Sequence, residues 1–206
     1  MSARELREWE TISRQTILQH SKFLTVENHV IRLPDGQVIS DWPWLIIPSA
    51  AIVLAVTEDE KFLCFRQTKY AVEGETLAPV GGMLEPDEAP LDAAKRELLE
   101  EMGYESPEWI SLGSHILDPN RGIATMHLFL ALQARKVAEP DSDDLEDQEL
   151  LYLSRSEIEE AYRVGAFHIL SWSAVVAMSL YYLSTREMTN NEGGVEKVQA
   201  PCESSV

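Results

Sequence analysis

The chain of 206 residues has little cysteine, a shortage of positive charge and no long apolar run. Its two cysteines, Cys64 and Cys202, are too few for a disulfide framework, and no Cys-x-x-Cys or Cys/His zinc spacing occurs. The most apolar segment, residues 169–183, is too short to cross a bilayer and is interrupted by serines. Residues 1–10 are charged and lack the apolar stretch of a signal peptide. We therefore expect a cytoplasmic protein rather than a disulfide-rich secreted domain or a helical membrane protein.

The charge balance is strongly acidic, with 17 Lys and Arg against 35 Asp and Glu and a formal net charge of −18. A field of that sign repels nucleic acid and anionic membranes, so we expect neither as a partner. It also repels a phosphate-bearing substrate, which would need local positive charge, most simply from a bound divalent metal. The alternative interpretation is that the acidity mainly serves solubility.

The chain divides into three predicted parts: a small β segment over residues 1–46, a main domain over 47–186 and a disordered polar tail over 187–206. In the first part, Pro34-Asp35-Gly36 is a turn signal between β-rich runs. The main domain mixes strands and helices and is interrupted by Gly81-Gly82, where we expect a loop. This order predicts an α+β fold in which helices pack on a mixed sheet. The predicted main-domain strands are 50–56, 61–67, 109–115, 124–132 and 149–153, and the helices 90–102, 154–164 and 170–185.

The predicted helix over residues 90–102 carries the most informative pattern. Pro90 suits the first turn of a helix, and Gly103 suits a left-handed C-cap. Apolar residues recur at helical spacing along one face, namely Leu91, Ala94, Leu98 and Met102.

Three glutamates of this helix, Glu97, Glu100 and Glu101, are spaced three and four apart and therefore share a face. Like charges at that spacing destabilise an isolated helix by a few tenths of a kcal/mol per pair, roughly, so a compensating partner is expected. Clustered carboxylates suit Mg²⁺ or Mn²⁺, often together with substrate phosphates. A solvated acidic surface is the alternative.

The segment 82–104 resembles the Nudix box, G-x5-E-x7-R-E-U-x-E-E-x-G-U, in which U is an apolar residue. Seven specified positions coincide by chance with a probability on the order of 10⁻⁸ per start site. Tyr104 occupies the last U position, where an aliphatic residue is more usual. The matching positions are Gly82, Glu88, Arg96, Glu97, Glu100, Glu101 and Gly103, with Leu98 at the first U.

This resemblance implies an α/β/α sandwich and metal-dependent hydrolysis of a nucleoside diphosphate linked to another group, with Mg²⁺ or Mn²⁺ as the cofactor. It implies that Glu97 and Glu101 are the principal metal ligands, assisted by Glu100 and the Gly81 carbonyl. Arg96 would orient the carboxylates. The remaining box residues would be structural: Gly82, Glu88 and Gly103.

Features outside the box resemble the ADP-ribose and ADP-sugar pyrophosphatases. Arg66 to Lys69 partly matches the R-Q-aromatic-R segment of that subgroup, and Pro119 lies where the subgroup carries a proline. Pro79 stands one place earlier than usual, which leaves the sugar open. The acidic segment 141–149 lies where the subgroup supplies a late glutamate that handles the attacking water. Glu146 is the first choice, with Asp144, Asp147 and Glu149 as alternatives, and a solvated acidic surface is again possible.

Several further residues are candidates for substrate binding. Trp42 and Trp44 offer aromatic faces on which a base can stack, although packing in a hairpin or dimer interface is the favoured alternative. Lys69 and Arg121 are candidate phosphate partners, and Arg66 is a further candidate for substrate binding. The resemblance also implies a homodimer formed through the N-terminal β segment.

Three functions remain open at this level. The leading hypothesis is hydrolysis of a nucleoside diphosphate sugar, most simply ADP-ribose to AMP and ribose 5-phosphate. A second keeps the fold but takes dinucleotides such as NADH, or coenzyme A derivatives. A third is a non-catalytic domain that senses a nucleotide sugar, which would be expected to lose box glutamates that this chain keeps.

Overall fold

The computed structural model describes residues 6–141 and 147–191, which form two sheets and three helices. The predicted positions Asp144 and Glu146, Cys202, and the tail from residue 192 onward lie outside the described residues.

The smaller sheet is built from the N-terminal strands β1 (Glu10–His20), β2 (Leu24–Arg32) and β3 (Val38–Ile46), all antiparallel and in that order. The predicted turn is present between β2 and β3, where Gly36 has a φ of 91° and Asp35 Oδ1 accepts a hydrogen bond from the Gln37 backbone N–H at 3.0 Å. Strand β1 forms an edge and is exposed along its whole length.

The larger sheet has eight strands and is mixed, as predicted. β4 and β10 run parallel at its centre, and the other pairs are antiparallel. The strands are β4 (Ala50–Thr57), β5 (Phe62–Thr68), β6 (Glu75–Ala78), β7 (Val80–Met83), β8 (Tyr104–Glu105), β9 (Glu108–Asp118), β10 (Ile123–Lys136) and β11 (Gln148–Leu153).

Helices cover both faces of the large sheet, which confirms the α/β/α arrangement. Helix α1 (Pro90–Met102) packs on the face that carries Val53 and Phe129. Helices α2 (Arg155–Arg163) and α3 (Leu170–Asn191) pack on the opposite face, which carries Leu54 and Leu128. The alternation along β4 and β10 therefore divides the core into two layers.

Helix α2 begins where the sequence predicted. The Ser154 side chain accepts a hydrogen bond from the Glu157 backbone N–H, and the Glu157 carboxylate accepts one from the Ser154 N–H at 2.7 Å. This reciprocal capping box satisfies two backbone donors that the first helical turn leaves open.

Two sequence predictions need correction. The Gly81-Gly82 pair does not end regular structure but lies within β7, where Gly81 pairs with Ile52 and Gly82 with Ala51. Here the glycines serve close approach between elements rather than a turn. Helix α3 also continues to Asn191, so residues 187–191 belong to a helix and not to a disordered tail. Across 6–141 and 147–191, no helix combines the length and apolar character needed to span a membrane.

Candidate active site

The orientation of helix α1 is set by its apolar face, which packs entirely against the core. Ala94, Leu98 and Met102 are completely buried against the large sheet. The helix ends at Gly103, which has a φ of 76° and donates its N–H to the Leu99 carbonyl at 2.9 Å. Glu97, next to the buried Leu98, is thereby held against Gly82 of strand β7.

Glu97 is a buried carboxylate, with only 7% of the residue exposed. It lies directly against Gly82, where an added Cβ would be 2.1 Å from Glu97 Oε1. Its carboxyl group is in hydrogen-bonding contact with that of Glu101, one helical turn away. Burial raises the pKa of Glu97, while Arg96 and the contact with Glu101 act in the opposite direction.

Arg96 connects helix α1 with the loop that precedes it. Its Nε and Nη2 donate to the two carboxylate oxygens of Glu88 at 2.9 and 3.0 Å, which is a bidentate pair. Its Nη1 donates to Glu97 Oε1 at 2.8 Å and to Glu100 Oε2 at 3.1 Å. The Arg96 guanidinium holds the pKa of Glu88 below its usual range. One cation thus fixes the positions of three box carboxylates.

The donor chemistry of this patch fits a divalent cation. Two carboxylates, those of Glu97 and Glu101, touch each other in a partly desolvated position, and hard oxygen ligands of this kind suit Mg²⁺ or Mn²⁺. Glu100 is half exposed and turned toward Arg96. Among the residues that the structure describes, no three acidic, histidine or cysteine side chains already converge as a metal cage.

The two box glycines, Gly82 and Gly103, and the preceding Gly81 all stand where a side chain would collide with a neighbour. A Cβ on Gly81 would lie 2.3 Å from the Ala51 backbone oxygen, and one on Gly103 would lie 2.2 Å from the Ala138 oxygen. Gly103 also accepts hydrogen bonds from the Val137 and Ala138 N–H groups at 2.8 and 3.1 Å. These contacts bring β7, α1 and the chain after β10 close together.

Of the four acidic candidates for handling the attacking water, only Asp147 and Glu149 lie among the described residues. Glu149 lies on β11 and accepts a hydrogen bond from Arg66 Nη2 at 2.6 Å, and Arg66 also approaches Glu75 at 3.7 Å. Asp147 lies exposed just before β11, whereas Asp144 and Glu146 lie outside the described residues. Arg66 is therefore already engaged by carboxylates of the neighbouring strands.

A second group of predicted residues lines a cavity of about 340 Å³ between the two sheets. Trp42 donates its Nε1–H to the Asn120 carbonyl at 2.6 Å, and its ring meets Trp9 edge to face at 5.5 Å. Trp44 stacks on His29, with 5.1 Å between the ring centroids, and lies over Gly122. Both tryptophans therefore pack within the protein and also border an open space, together with Pro119.

The remaining candidates are engaged in contacts of their own. Arg121 is exposed and pairs with Asp118 at 3.0 Å, while its backbone carbonyl accepts a hydrogen bond from the Leu45 N–H. Lys69 is half-buried just after β5 and has its own interaction partner. The structure thus brings the box residues together and the aromatic residues together, as two clusters on different elements.

The sequence interpretation missed three histidine and serine contributions. His29 is buried, bonds Glu27 at 2.8 Å and completes the wall of the aromatic cavity. Ser114 Oγ lies 2.8 Å from His127 Nδ1, on paired positions of β9 and β10. Strict alternation from the buried Phe129 places His127 on the α1 face, a signal that the sequence already contained.

Comparison with known families and proteins identifies two matching models. The model of the NUDIX domain matches residues 47–172, and that of the nucleoside diphosphate sugar hydrolase N-terminal domain matches residues 9–45. The boundary between the two matches coincides with the passage from β3 to β4.

Individual relatives are distant but cover most of the chain. An ADP-ribose pyrophosphatase of Bacillus subtilis (strain 168) is 26% identical over 180 residues, which are 87% of this chain and 95% of that protein. A methanol dehydrogenase activator of Bacillus methanolicus is 28% identical over 89% of this chain and 96% of its own length. A hydrolase of CMP-5'-(N-acetyl-N-hydroxy-3-aminopropyl)phosphonate from Streptomyces rubellomurinus (strain ATCC 31215) is 27% identical over 73% of this chain and 72% of its own length.

A solved structure described as an ADP compounds hydrolase superposes with a TM-score of 0.73. The match covers 94% of this chain and 100% of the other, at 17% identity. At that identity, the likeness establishes a shared fold.

Proposed function

Because this chain belongs to the Nudix hydrolase family, we propose that it cleaves the diphosphate bond of a nucleoside diphosphate sugar, with ADP-ribose as the first candidate and AMP and ribose 5-phosphate as products. The observation that carries this proposal is the contact between the Glu97 and Glu101 carboxylates beside Gly82, braced by Arg96. The N-terminal match to a nucleoside diphosphate sugar hydrolase domain and the resemblance to an ADP-ribose pyrophosphatase support the choice of substrate.

Nudix hydrolases generally need a divalent metal, and the proposed cofactor here is Mg²⁺ or Mn²⁺. Glu97 and Glu101 would hold it, with Glu100 and the Gly81 carbonyl as further oxygen ligands. When bound there, a divalent cation would neutralise charge on the diphosphate and lower the pKa of a water molecule.

The protein's own residues supply the positioning. Arg96 fixes the carboxylates of Glu97 and Glu100 through hydrogen bonds of 2.8 and 3.1 Å. The two side chains are therefore already positioned in the folded protein and need not rearrange during the reaction. The attacking water would be oriented by a carboxylate of the acidic segment, with Glu146 as the first choice over Asp144, Asp147 and Glu149. Of the two described candidates, Glu149 is less suited than Asp147 because it already accepts a hydrogen bond from Arg66 at 2.6 Å.

The aromatic cavity is the proposed site of the base. Trp42 and Trp44 offer ring faces there, and stacking of a base on an aromatic side chain contributes about 1–3 kcal/mol. Pro119 borders the same cavity, and Arg121, Lys69 and Arg66 are the proposed phosphate partners outside it. The relative that acts on a CMP-linked phosphonate makes a pyrimidine nucleotide a worthwhile member of any substrate panel.

A homodimer is part of the same proposal. The N-terminal sheet leaves large apolar side chains exposed on and beside its edge strand, and a second copy of this chain would cover them. They are Ile12, Ile17, Leu18 and Phe23. Light scattering after size-exclusion chromatography tests this directly, and a monomer at micromolar concentration would contradict it.

A cytoplasmic location is also proposed, because Cys64 is a fully buried free thiol.

The decisive experiment compares the wild type with Glu101→Gln on a panel of ADP-ribose, ADP-glucose, NADH and a CMP-sugar, with Mg²⁺ or with chelator. We expect release of AMP and ribose 5-phosphate from ADP-ribose only with metal, and a fall in kcat of at least about 10²-fold in the variant. Asp92→Asn is the matched control, because Asp92 lies on the same helix, is exposed and pairs with Lys95. Turnover of dinucleotides alone would favour the second hypothesis, and binding without turnover would favour a sensing domain.

A further inference from the structure

A row of four paired residues crosses the large sheet beneath helix α1. Ser114 on β9 pairs with His127 on β10, His127 pairs with Ala51 on β4, and Ala51 pairs with Gly82 on β7. Directly paired residues point to the same face of a sheet. Ala51 belongs to the core layer under α1, so all four positions face the glutamate helix.

This row connects His127 with the carboxylate cluster. Neighbouring strands are about 4.8 Å apart, so His127 stands two strands, or about 10 Å, from the position of Gly82. The Glu97 carboxylate lies on Gly82. Ala51, which lies between them in the row, is fully buried under helix α1.

Along β10, the face that carries His127 leads toward the N-terminal sheet. Thr125 is the next residue of β10 on the same face, about 6.6 Å further along. It lines a cavity of about 340 Å³ together with Trp44, Ile116 and Pro119. The face of the sheet that carries His127 therefore continues, one residue pair further along β10, to a cavity bordered by Trp44.

The imidazole is held in place by one hydrogen bond and leaves one nitrogen available. Ser114 Oγ lies 2.8 Å from His127 Nδ1, and this is the single side-chain bond of His127 across the described parts of the chain. Partial burial lowers the pKa of His127, which favours the neutral form of the ring. When the serine hydroxyl donates to Nδ1, the proton of the ring sits on Nε2.

We propose that His127, oriented by Ser114, donates its Nε2–H to a phosphate oxygen on the nucleoside side of the substrate's diphosphate, an inference that rests on the proposed function. A neutral donor suits this position because it binds a phosphate oxygen without attracting the metal-binding carboxylates. His127 is thus a substrate-contact residue and Ser114 is a positioning residue.

Two amide variants separate the contact from mere packing. His127→Asn places an amide where Nδ1 lies and keeps a partner for Ser114, but it offers nothing at the Nε2 position. His127→Gln reaches the Nε2 position and restores a donor there. His115→Gln is the matched control, because His115 is an exposed histidine of β9 that bonds the Leu112 carbonyl.

The measurements are the affinity for AMP by calorimetry in EDTA, kcat and KM for ADP-ribose with Mg²⁺, and the melting temperature. We expect His127→Asn to bind AMP about 10- to 100-fold more weakly and to raise KM with little change in kcat, as for loss of a hydrogen bond to a charged group. His127→Gln should recover most of this loss, Ser114→Ala should lose a smaller part, and His115→Gln should match the wild type.

Equal AMP affinity in His127→Asn and the wild type would overturn the inference, as would equal losses in the Asn and Gln variants or a loss that follows a lowered melting temperature. A wild type that turns over no ADP-ribose refutes the proposed substrate, and AMP binding then decides the role of His127 by itself. A wild type that does not bind AMP overturns the inference as well.

Discussion

Gly82→Ala is the perturbation that tests the geometry of the carboxylate cluster most directly. The three atoms nearest to the new methyl group all belong to the Glu97 carboxylate, at 2.1, 2.3 and 2.5 Å. Each separation is far below a van der Waals contact, so the carboxylate must move by an ångström or more. Because the colliding group is the end of a side chain, the backbone can stay in place.

The expected result is a large loss of activity with a small loss of stability. Displacement of a reacting or ligating group by about 1 Å can cost about 10²-fold in rate, and we expect a loss of that size in kcat/KM for ADP-ribose. The free energy of unfolding should fall by less than about 1 kcal/mol, because the displaced carboxylate regains contact with water. Urea unfolding and a metal-dependent hydrolysis assay measure the two quantities on the same preparation.

Gly81→Ala is the comparison variant and, unlike Gly82→Ala, should lose substantial stability. Its methyl group would meet the backbone of β4, at 2.3 Å from the Ala51 oxygen and 2.9 Å from the Ile52 Cα, so the β4–β7 pairing itself must shift. Overpacking of this kind costs about 1–3 kcal/mol, which corresponds to a fall of about 2–12 °C in melting temperature for a domain of this size. Normal kcat/KM in Gly82→Ala, or the same profile in both variants, would refute the reasoning.

Three further predictions concern Arg96, the cap of helix α2 and the pH dependence of the Glu88 ion pair. Arg96→Lys keeps the charge but loses the bidentate pair with Glu88, so kcat should fall by about 10-fold or more. The control variant Lys95→Arg, on the exposed face of the helix, should leave kcat unchanged. Ser154→Ala removes the cap of α2 and should cost about 1 kcal/mol of unfolding free energy in urea titrations, without effect on turnover. The pKa of Glu88 is lowered by Arg96, so its contribution to stability is present above the unfolded value near 4.5 and is lost as the pH falls through the folded value. The difference in unfolding free energy between the wild type and Glu88→Gln should therefore be largest at neutral pH and shrink in acid, and a difference that is constant with pH would contradict the assignment.

The sequence alone determined the parts of this protein that depend on local spacing. Helix α1 begins at Pro90 and ends before Gly103 because a helix-starting proline, an apolar stripe and a C-cap glycine agree with one another. The capping box at Ser154 fixed the start of α2 in the same way. The glutamates of the box could be placed on one side of a helix for this reason, since side chains three and four residues apart share a face.

Only the tertiary structure decided what those local elements touch. Gly82 was expected in a loop, but the pairing with Ala51 makes it part of a strand, and the Glu97 carboxylate fills the space that its missing side chain leaves. Ser114 and His127 come together through strand register, which joins residues far apart in sequence and has no local signature. Local propensity acts over a few residues, whereas register and close packing are settled by the burial of the whole sheet, and this physical difference separates what was predictable from what was not.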